Sequence, residues 1–307
     1  MTSIVEASGL SKHFGRVRAL DGLDLSVSAG EVHGFLGPNG AGKSTTIRVL
    51  LGLIQATGGH VTVFGRDPWR DSVAIHREVA YVPGDVSLWP GLTGGEVIDL
   101  LASLRGGADA SLRAGLIDEF ELNPRIKCRN YSKGNRQKVA LIAAFARPAD
   151  LYLFDEPTSG LDPVMEAVFR KQVARVKRDG ATILLSSHIL SEVEELCDRV
   201  TIIRSGRTAE TGTLSDLRHL TRTSFSAVTS VDVGTVAAVH GVHDANRIGD
   251  RLVFDVDSDS LQPVLAVLAS SGVHGLTVAP PSLEDLFLRH YGDRSVDAAT
   301  ASERVAV

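Results

Sequence analysis

The chain has 307 residues, of which 43% are hydrophobic and 22% charged, the balance of a globular protein with room for one large domain and a smaller one. A formal net charge of −5 gives no electrostatic basis for nucleic acid as the main partner. No apolar run approaches the ~20 residues needed to span a bilayer, and Cys128 and Cys197 stand far apart without metal-ligand spacing, as unpaired thiols of a reducing compartment would.

The opening MTSIVEASGLSKHFG lacks the basic region and apolar core of a signal peptide. The chain is therefore expected not to be exported, and any membrane spans it works with must come from another chain. Residues 3 to 36 alternate short β-type runs with turns, as in LDLSVSAG followed by EVHGFLG. Val32 to Leu36 reads as a buried strand that feeds GPNGAGKST, and Ser44 to Leu53 has the apolar spacing of a helix. Strand, glycine loop and helix in that order are the setting of a phosphate loop.

From about Gly84 to Ala146 the pattern turns helical, in GEVIDLLASLR and ASLRAGLIDEFEL. This predicts a helical subdomain over about 85–146, inserted between core strands. LYLFDE and TILLS are short, continuously apolar strands of a sheet buried on both faces. RVTIIRSGRTAETG reads as a hairpin turning at Ser205 and Gly206. After about Leu220, strand-like TSFSAVTS, RLVFDV and HGLTVA alternate with helix-like TVAAVHG, SLQPVLAVLASSG and SLEDLFLRHYG. A small two-layer α+β domain of ferredoxin-like kind is predicted over 221–292. Its last helix starts at Ser282 with Glu284 and Asp285 in the first turn. Residues 293–307 are small and polar and are expected to be disordered.

GPNGAGKST sets Gly37, Pro38, Asn39, Gly40, Ala41, Gly42, Lys43, Ser44 and Thr45 in the Walker A pattern. Its glycines allow a tight backbone whose N–H groups point at phosphate oxygens, and the following helix adds its positive end. Lys43 is expected to reach the β- and γ-phosphates of ATP, and the Ser44 hydroxyl to ligate Mg2+. LYLFDE fits Walker B. Asp155 would hold magnesium through its water shell, and Glu156 would polarise the attacking water as general base. Paired acids after a strand are often a solvated strand end, but a phosphate loop in the same chain argues against that here. His188 follows TILLSS, where an imidazole can reach a γ-phosphate and help place the water; a lone histidine is otherwise usually structural.

YSKGNRQK, residues 131–138, opens a helix ahead of LYLFDE, and SGLD follows it. With these motifs in order, residues 4 to 218 resemble the nucleotide-binding domain of ABC transporters. The resemblance implies an α/β P-loop NTPase: a RecA-like core with an antiparallel β subdomain and a helical subdomain, here followed by the small α+β domain. It implies that Phe14 stacks on adenine, the other reading being a core aromatic in a hairpin. Ser132, Lys133, Gly134 and Asn135 match the signature, which would grip the γ-phosphate of ATP held by a second copy of the chain. Ser159, Gly160, Leu161 and Asp162 match the D-loop, which crosses that dimer.

Two departures narrow the resemblance. The commonest signature is LSGGQ and this one is YSKGN. Lys133 either assists the γ-phosphate or faces solvent. A YSKG-type signature followed by a small domain resembles drug and polyketide exporters of the type-2 ABC class, as in daunorubicin resistance systems. In the Q-loop, Gly84 stands where the family has glutamine, and Asp85, one residue late, is the candidate to supply the missing oxygen to the metal or the water. Leu88, Trp89 and Pro90 are apolar where the family's ATPase receives a coupling helix of the membrane subunit; the other reading packs Trp89 inside its own subdomain.

These features together imply the ATP-binding and ATP-hydrolysing subunit of a multi-chain exporter at the cytoplasmic face of the cell membrane. It would work as a dimer, with transmembrane permease subunits, on a drug, antibiotic, polyketide or lipid-like compound, using ATP and Mg2+ and no nucleic acid. An importer ATPase is one alternative. A soluble ATPase of ribosomes or chromosomes is another, although such proteins carry paired ATPase domains or long coiled coils, which are absent from this sequence.

Overall fold

The structure, a computed structural model, describes residues 2–219, 222–270 and 272–279. The chain divides at Gly212–Thr213 into two compact units, and each contains its own apolar cluster.

Two long strands, β1 (Ser3–Phe14) and β2 (Val17–Ser28), open the first unit. They are continuous where the sequence suggests short runs with turns. Gly9, at φ 57°, sits in a register shift between Ala7 and Leu10, so it bends β1 as a bulge without ending it. β3 (Val32–Leu36), α1 (Lys43–Leu50), β4 (Gly58–Val63), α2 (Ser72–Glu78) and β5 (Val79–Val82) follow. α1 stops at Leu50 instead of running to Leu53. Gly52, at φ 63°, turns the chain there, and the amides of Gly52 and Leu53 bond back to the carbonyls of Val49 and Arg48 at 2.9 Å each. β2, β1 and β4 form a three-stranded antiparallel sheet in that order.

α3 (Gly94–Ser103), α4 (Ala110–Glu119) and α5 (Lys133–Phe145) form the helical insertion. α3 begins with a capping box, in which Thr93 and Glu96 each take the other's backbone N–H. β6 (Leu151–Asp155), α6 (Pro163–Arg178), β7 (Thr182–Ser187), α7 (Leu190–Leu196), β8 (Arg199–Arg204) and β9 (Arg207–Thr213) complete the unit. The main sheet has the order β5-β6-β7-β3-β8-β9, with parallel pairing from β5 through β8. β8 and β9 are joined by Ser205 and Gly206, both at positive φ (49° and 76°), the geometry a two-residue hairpin favours.

Every residue of β3, β6 and β7 is buried, as continuous apolar runs covered on both faces must be. Alternation along β6 sends Leu151 and Leu153 into the cluster that holds Phe35, Ile47 and Leu50. Tyr152 and Phe154 face the other way, onto Phe145 of α5 and Phe169 of α6, with ring centroids 5.4 to 6.3 Å apart. Each such aromatic pair adds about 0.5–1.5 kcal/mol beyond area burial. Asp155, two residues past Leu153, therefore lies on the α1 side of a firmly anchored strand. Because β3, β6 and β7 are parallel, the loops that leave their C-terminal ends share one edge of the sheet.

The second unit contains α8 (Leu214–His219), β10 (Thr223–Thr229), α9 (Val233–Ala237), β11 (Val242–Ile248), β12 (Arg251–Val256), α10 (Leu261–Ser270) and β13 (Val273–Ala279). Its sheet is antiparallel in the order β11-β12-β10-β13, so the succession from β10 to β13 is the βαββαβ layer of a ferredoxin-like fold. Phe225, Leu252 and Phe254 from the strands meet Val236, Val264 and Leu268 from α9 and α10, with Phe225 stacked on Phe254 at 5.2 Å. β11 was not among the strands expected. Its VHDANRI is polar, and its register shifts around Asp244, at φ 52°. The helix expected from Ser282 and the tail 293–307 lie outside the described residues.

Candidate functional site: a nucleotide site in two halves

The loop that leaves β3 folds tightly. Gly40 and Gly42 take φ 81° and 116°, which side-chain-bearing residues rarely adopt, and Gly42 caps α1. Ala41 and Gly42 are buried, Pro38, Ser44 and Thr45 are half-buried, and Asn39 and Gly40 are exposed at the loop crest. Lys43 is only 5% exposed. Its Nζ donates to the carbonyls of Gly37 (2.6 Å) and Pro38 (3.3 Å) and lies 3.4 Å from Glu156 Oε1. A buried ammonium needs such partners. An incoming phosphate can replace the two carbonyls without the lysine stem having to move far.

Asp155 ends β6, buried, and accepts a hydrogen bond from Ser186 Oγ at 2.6 Å. Glu156 takes the left-handed conformation at φ 49°, a cost of about 1–2 kcal/mol for a side-chain-bearing residue. Its N–H offsets this by donating to Ser186 O (3.1 Å) and Ser186 Oγ (3.2 Å). The turn aims the carboxylate back across the sheet edge. Glu156 Oε1 lies 3.3 Å from Nδ1 of His188, which is half-exposed just past β7. Lys43, Glu156 and His188, from three separate loops, thus converge within ion-pair distance. Ser186 was missed because it hides in the apolar run TILLSS; the signal was its register opposite Asp155. Tyr81 of β5 was also missed. Burial, followed by the charge of Asp155, pushes its phenol up to about 12, so it stays protonated beside the acids.

Gly84 packs against Walker B: a Cβ there would stand 3.1 Å from the Asp155 carbonyl and 3.7 Å from Glu156 Cβ. Position 84 is thus the one whose side chain would meet the acids. Asp85 is exposed and lines a separate hollow with Arg129 and Arg136. Phe14 is 50% exposed at the end of β1, with the Lys12 ammonium 5.0 Å from its ring centroid. That excludes a core role and leaves the ring open for stacking. Trp89 is 51% exposed, so about half of its surface is left uncovered by its own subdomain. With Leu88, Pro83, Leu101, Leu104 and Ala140 it borders an apolar groove of about 380 Å³. Cys128 and Cys197 are free and buried, and burial pushes both thiols up.

The second half of the site is the start of α5. Ser132 is its N-cap and accepts from the Asn135 N–H at 3.2 Å. Tyr131 is buried and its hydroxyl donates to Asn123 O at 2.6 Å. Tyr131→Phe should remove that bond while the carbonyl keeps the Ile126 N–H at 3.4 Å, at a cost of about 0.5–1.5 kcal/mol read as a lower urea midpoint at an unchanged slope. Lys133 has a partner that sequence reasoning did not name: its Nζ donates to Ser159 Oγ at 2.7 Å. Asp162 caps α6 through the amides of Val164 and Met165 at 3.0 Å each, and Leu161 N–H bonds Thr158 O at 2.9 Å. Among the described residues no hydrogen bond or ion pair joins residues 132–135 to the chain's own phosphate loop.

A phosphate loop on one strand, an acid pair two strands away and a histidine after the strand between them define a P-loop ATPase of RecA-like type. Residues 20–159 match the ABC transporter family. The chain is 33% identical to the daunorubicin/doxorubicin resistance ATP-binding protein DrrA of Streptomyces peucetius, over 99% of this chain and 98% of that protein. It is 29% identical to the bacitracin transport ATP-binding protein BcrA of Bacillus licheniformis, over 96% of this chain and 100% of that protein. A solved ATP-binding subunit of an ABC transporter superposes with a TM-score of 0.66 at 33% identity, over 71% of this chain and 92% of that one. The chain belongs to the ABC transporter family, as one of its ATP-binding, ATP-hydrolysing subunits.

Proposed function

We propose that two copies of this chain clasp two ATP molecules head to tail and drive an exporter whose membrane spans are separate permease subunits. The observation that carries the reading is the division of the site. Lys43, Asp155, Glu156 and His188 converge, whereas Ser132 to Asn135 stand at a helix start with no bond to them. A helix N-terminus capped by a serine is a natural phosphate cradle once a second chain supplies the phosphate. Phe14 stacks on adenine, the loop 37–45 holds the phosphates, and Glu156 orients the attacking water and takes its proton, with His188 beside it. Ser44 hydroxyl and Asp155 carboxylate are hard oxygen donors that suit Mg2+, which when bound would neutralise phosphate charge. Residues 221–292 act as an accessory domain.

The likeness to DrrA and BcrA along nearly the whole chain supports drug or antibiotic efflux at the cytoplasmic face of the membrane. The groove beside Trp89 suits a coupling helix of the permease. Trp89→Ala should weaken co-purification with the permease about 10-fold or more and leave basal ATPase within about twofold. The reverse pattern would remove the groove from the interface. Export itself is tested in cells that carry the chain with its permease: anthracycline accumulation should fall, and Glu156→Gln should restore it. Higher accumulation with the active pair would instead indicate import.

A further inference from the structure

We propose that Lys133 is a positioning residue that clips the D-loop to the signature helix of its own chain, so that both segments move as one body. The signature helix touches the D-loop and the residues just ahead of it at three points. Lys133 Nζ donates to Ser159 Oγ at 2.7 Å. Gly134 packs on Gly160 so closely that a Cβ at 134 would lie 2.5 Å from the Gly160 carbonyl. One turn further along the same face of α5, buried Gln137 donates from Nε2 to the Pro157 carbonyl at 2.8 Å. The lysine stem also covers Gly160, with Cγ and Cδ each 3.3 Å from where a Cβ would stand.

The contact extends to the catalytic acid. Ser159 N–H bonds the Glu156 carbonyl at 3.1 Å, and Leu161 N–H bonds the Thr158 carbonyl at 2.9 Å, so residues 156–161 form two linked turns that lead into the Asp162 cap. A cation in the first turn of a helix opposes the helix dipole, so the Ser159 contact offsets an unfavourable placement. An exposed bond of this kind holds little by itself. Here it closes a contact whose other two points are already fixed, and such geometry is what aligned catalytic groups need. The functional consequence rests on the ATP-clasping reading; the contact itself does not.

The test uses the full chain as Lys133→Met, Lys133→Arg and Ser159→Ala. In nucleotide-free protein, amide hydrogen exchange in peptides spanning 157–162 should quicken roughly 3- to 10-fold in Lys133→Met and Ser159→Ala and stay near wild type in Lys133→Arg. The kcat for ATP should fall by roughly the same factor with KM unchanged, and the double variant that combines Lys133→Met with Ser159→Ala should be no worse than either single one. Unchanged exchange, or kcat losses that multiply in the double variant, would overturn the proposal. So would a raised KM in Lys133→Met with Ser159→Ala like wild type, since that means the ammonium serves the phosphate directly. If Glu156→Gln failed to dimerise with ATP, the clasping reading would fall while the exchange result still decided whether the clip exists.

Discussion

Glu156→Gln is expected to lower ATP turnover by about 10²- to 10⁴-fold and to leave ATP binding in place. The carboxylate stands at the edge of the sheet, 3.4 Å from Lys43 Nζ and 3.3 Å from His188 Nδ1. Its backbone is held in a left-handed turn by Ser186. Glutamine keeps the size, the turn and one acceptor oxygen and loses the basicity that takes a proton from water, together with the negative charge facing Lys43. Steady-state phosphate release together with equilibrium ATP titration checks this. Turnover within a few-fold of wild type would mean that another group is the base. Ser186→Ala provides a graded companion: it removes one bond each from Asp155 and Glu156, leaves the carboxylate chemistry untouched, and should cost turnover far less.

Lys43→Ala is expected to weaken ATP binding by about 10²-fold or more, since charge-assisted bonds to phosphate oxygens contribute about 1.5–3 kcal/mol each. Titration calorimetry with ATP reads this directly. The same change removes the donor to the Gly37 and Pro38 carbonyls and the cation beside Glu156. Stability should therefore fall by about 1–3 kcal/mol as well, and the titration needs a denaturation curve beside it. Wild-type affinity in a folded Lys43→Ala protein would remove the lysine from the phosphate site.

The halves of this site differed in how openly the sequence displayed them. The phosphate loop, LYLFDE and His188 were legible because each is a strand end followed by a fixed residue type, and parallel strands bring such ends to one edge. The contact of Lys133 with Ser159 was not legible. It joins residues 26 apart through side-chain direction, which no periodicity encodes. Ser186 was hidden because a buried strand serine looks like any small residue until its register opposite Asp155 is known. In the fold, short runs with turns were expected over residues 3–36, whereas Gly9 bends a continuous β1 as a bulge, and β11 escaped notice because an exposed polar strand carries little alternation. The start of α6 was not read from the sequence, although Asp162 caps it ahead of Pro163 in its first turn.

Gly84 shows how one missing side chain alters a site. Where a longer residue would reach toward Asp155 and Glu156, this chain offers only backbone, and the Tyr81 phenol, raised by burial and by Asp155, stays protonated. Asp85 stands beside Arg129 and Arg136 instead.

Sedimentation velocity of Glu156→Gln with and without ATP addresses the two-copy clasp most directly. Saturating ATP with Mg2+ should double the sedimenting mass, ADP should not, and adding Lys43→Ala to the same chain should abolish the shift. A Glu156→Gln protein that binds ATP and stays at the mass of one chain would contradict a site shared between two copies.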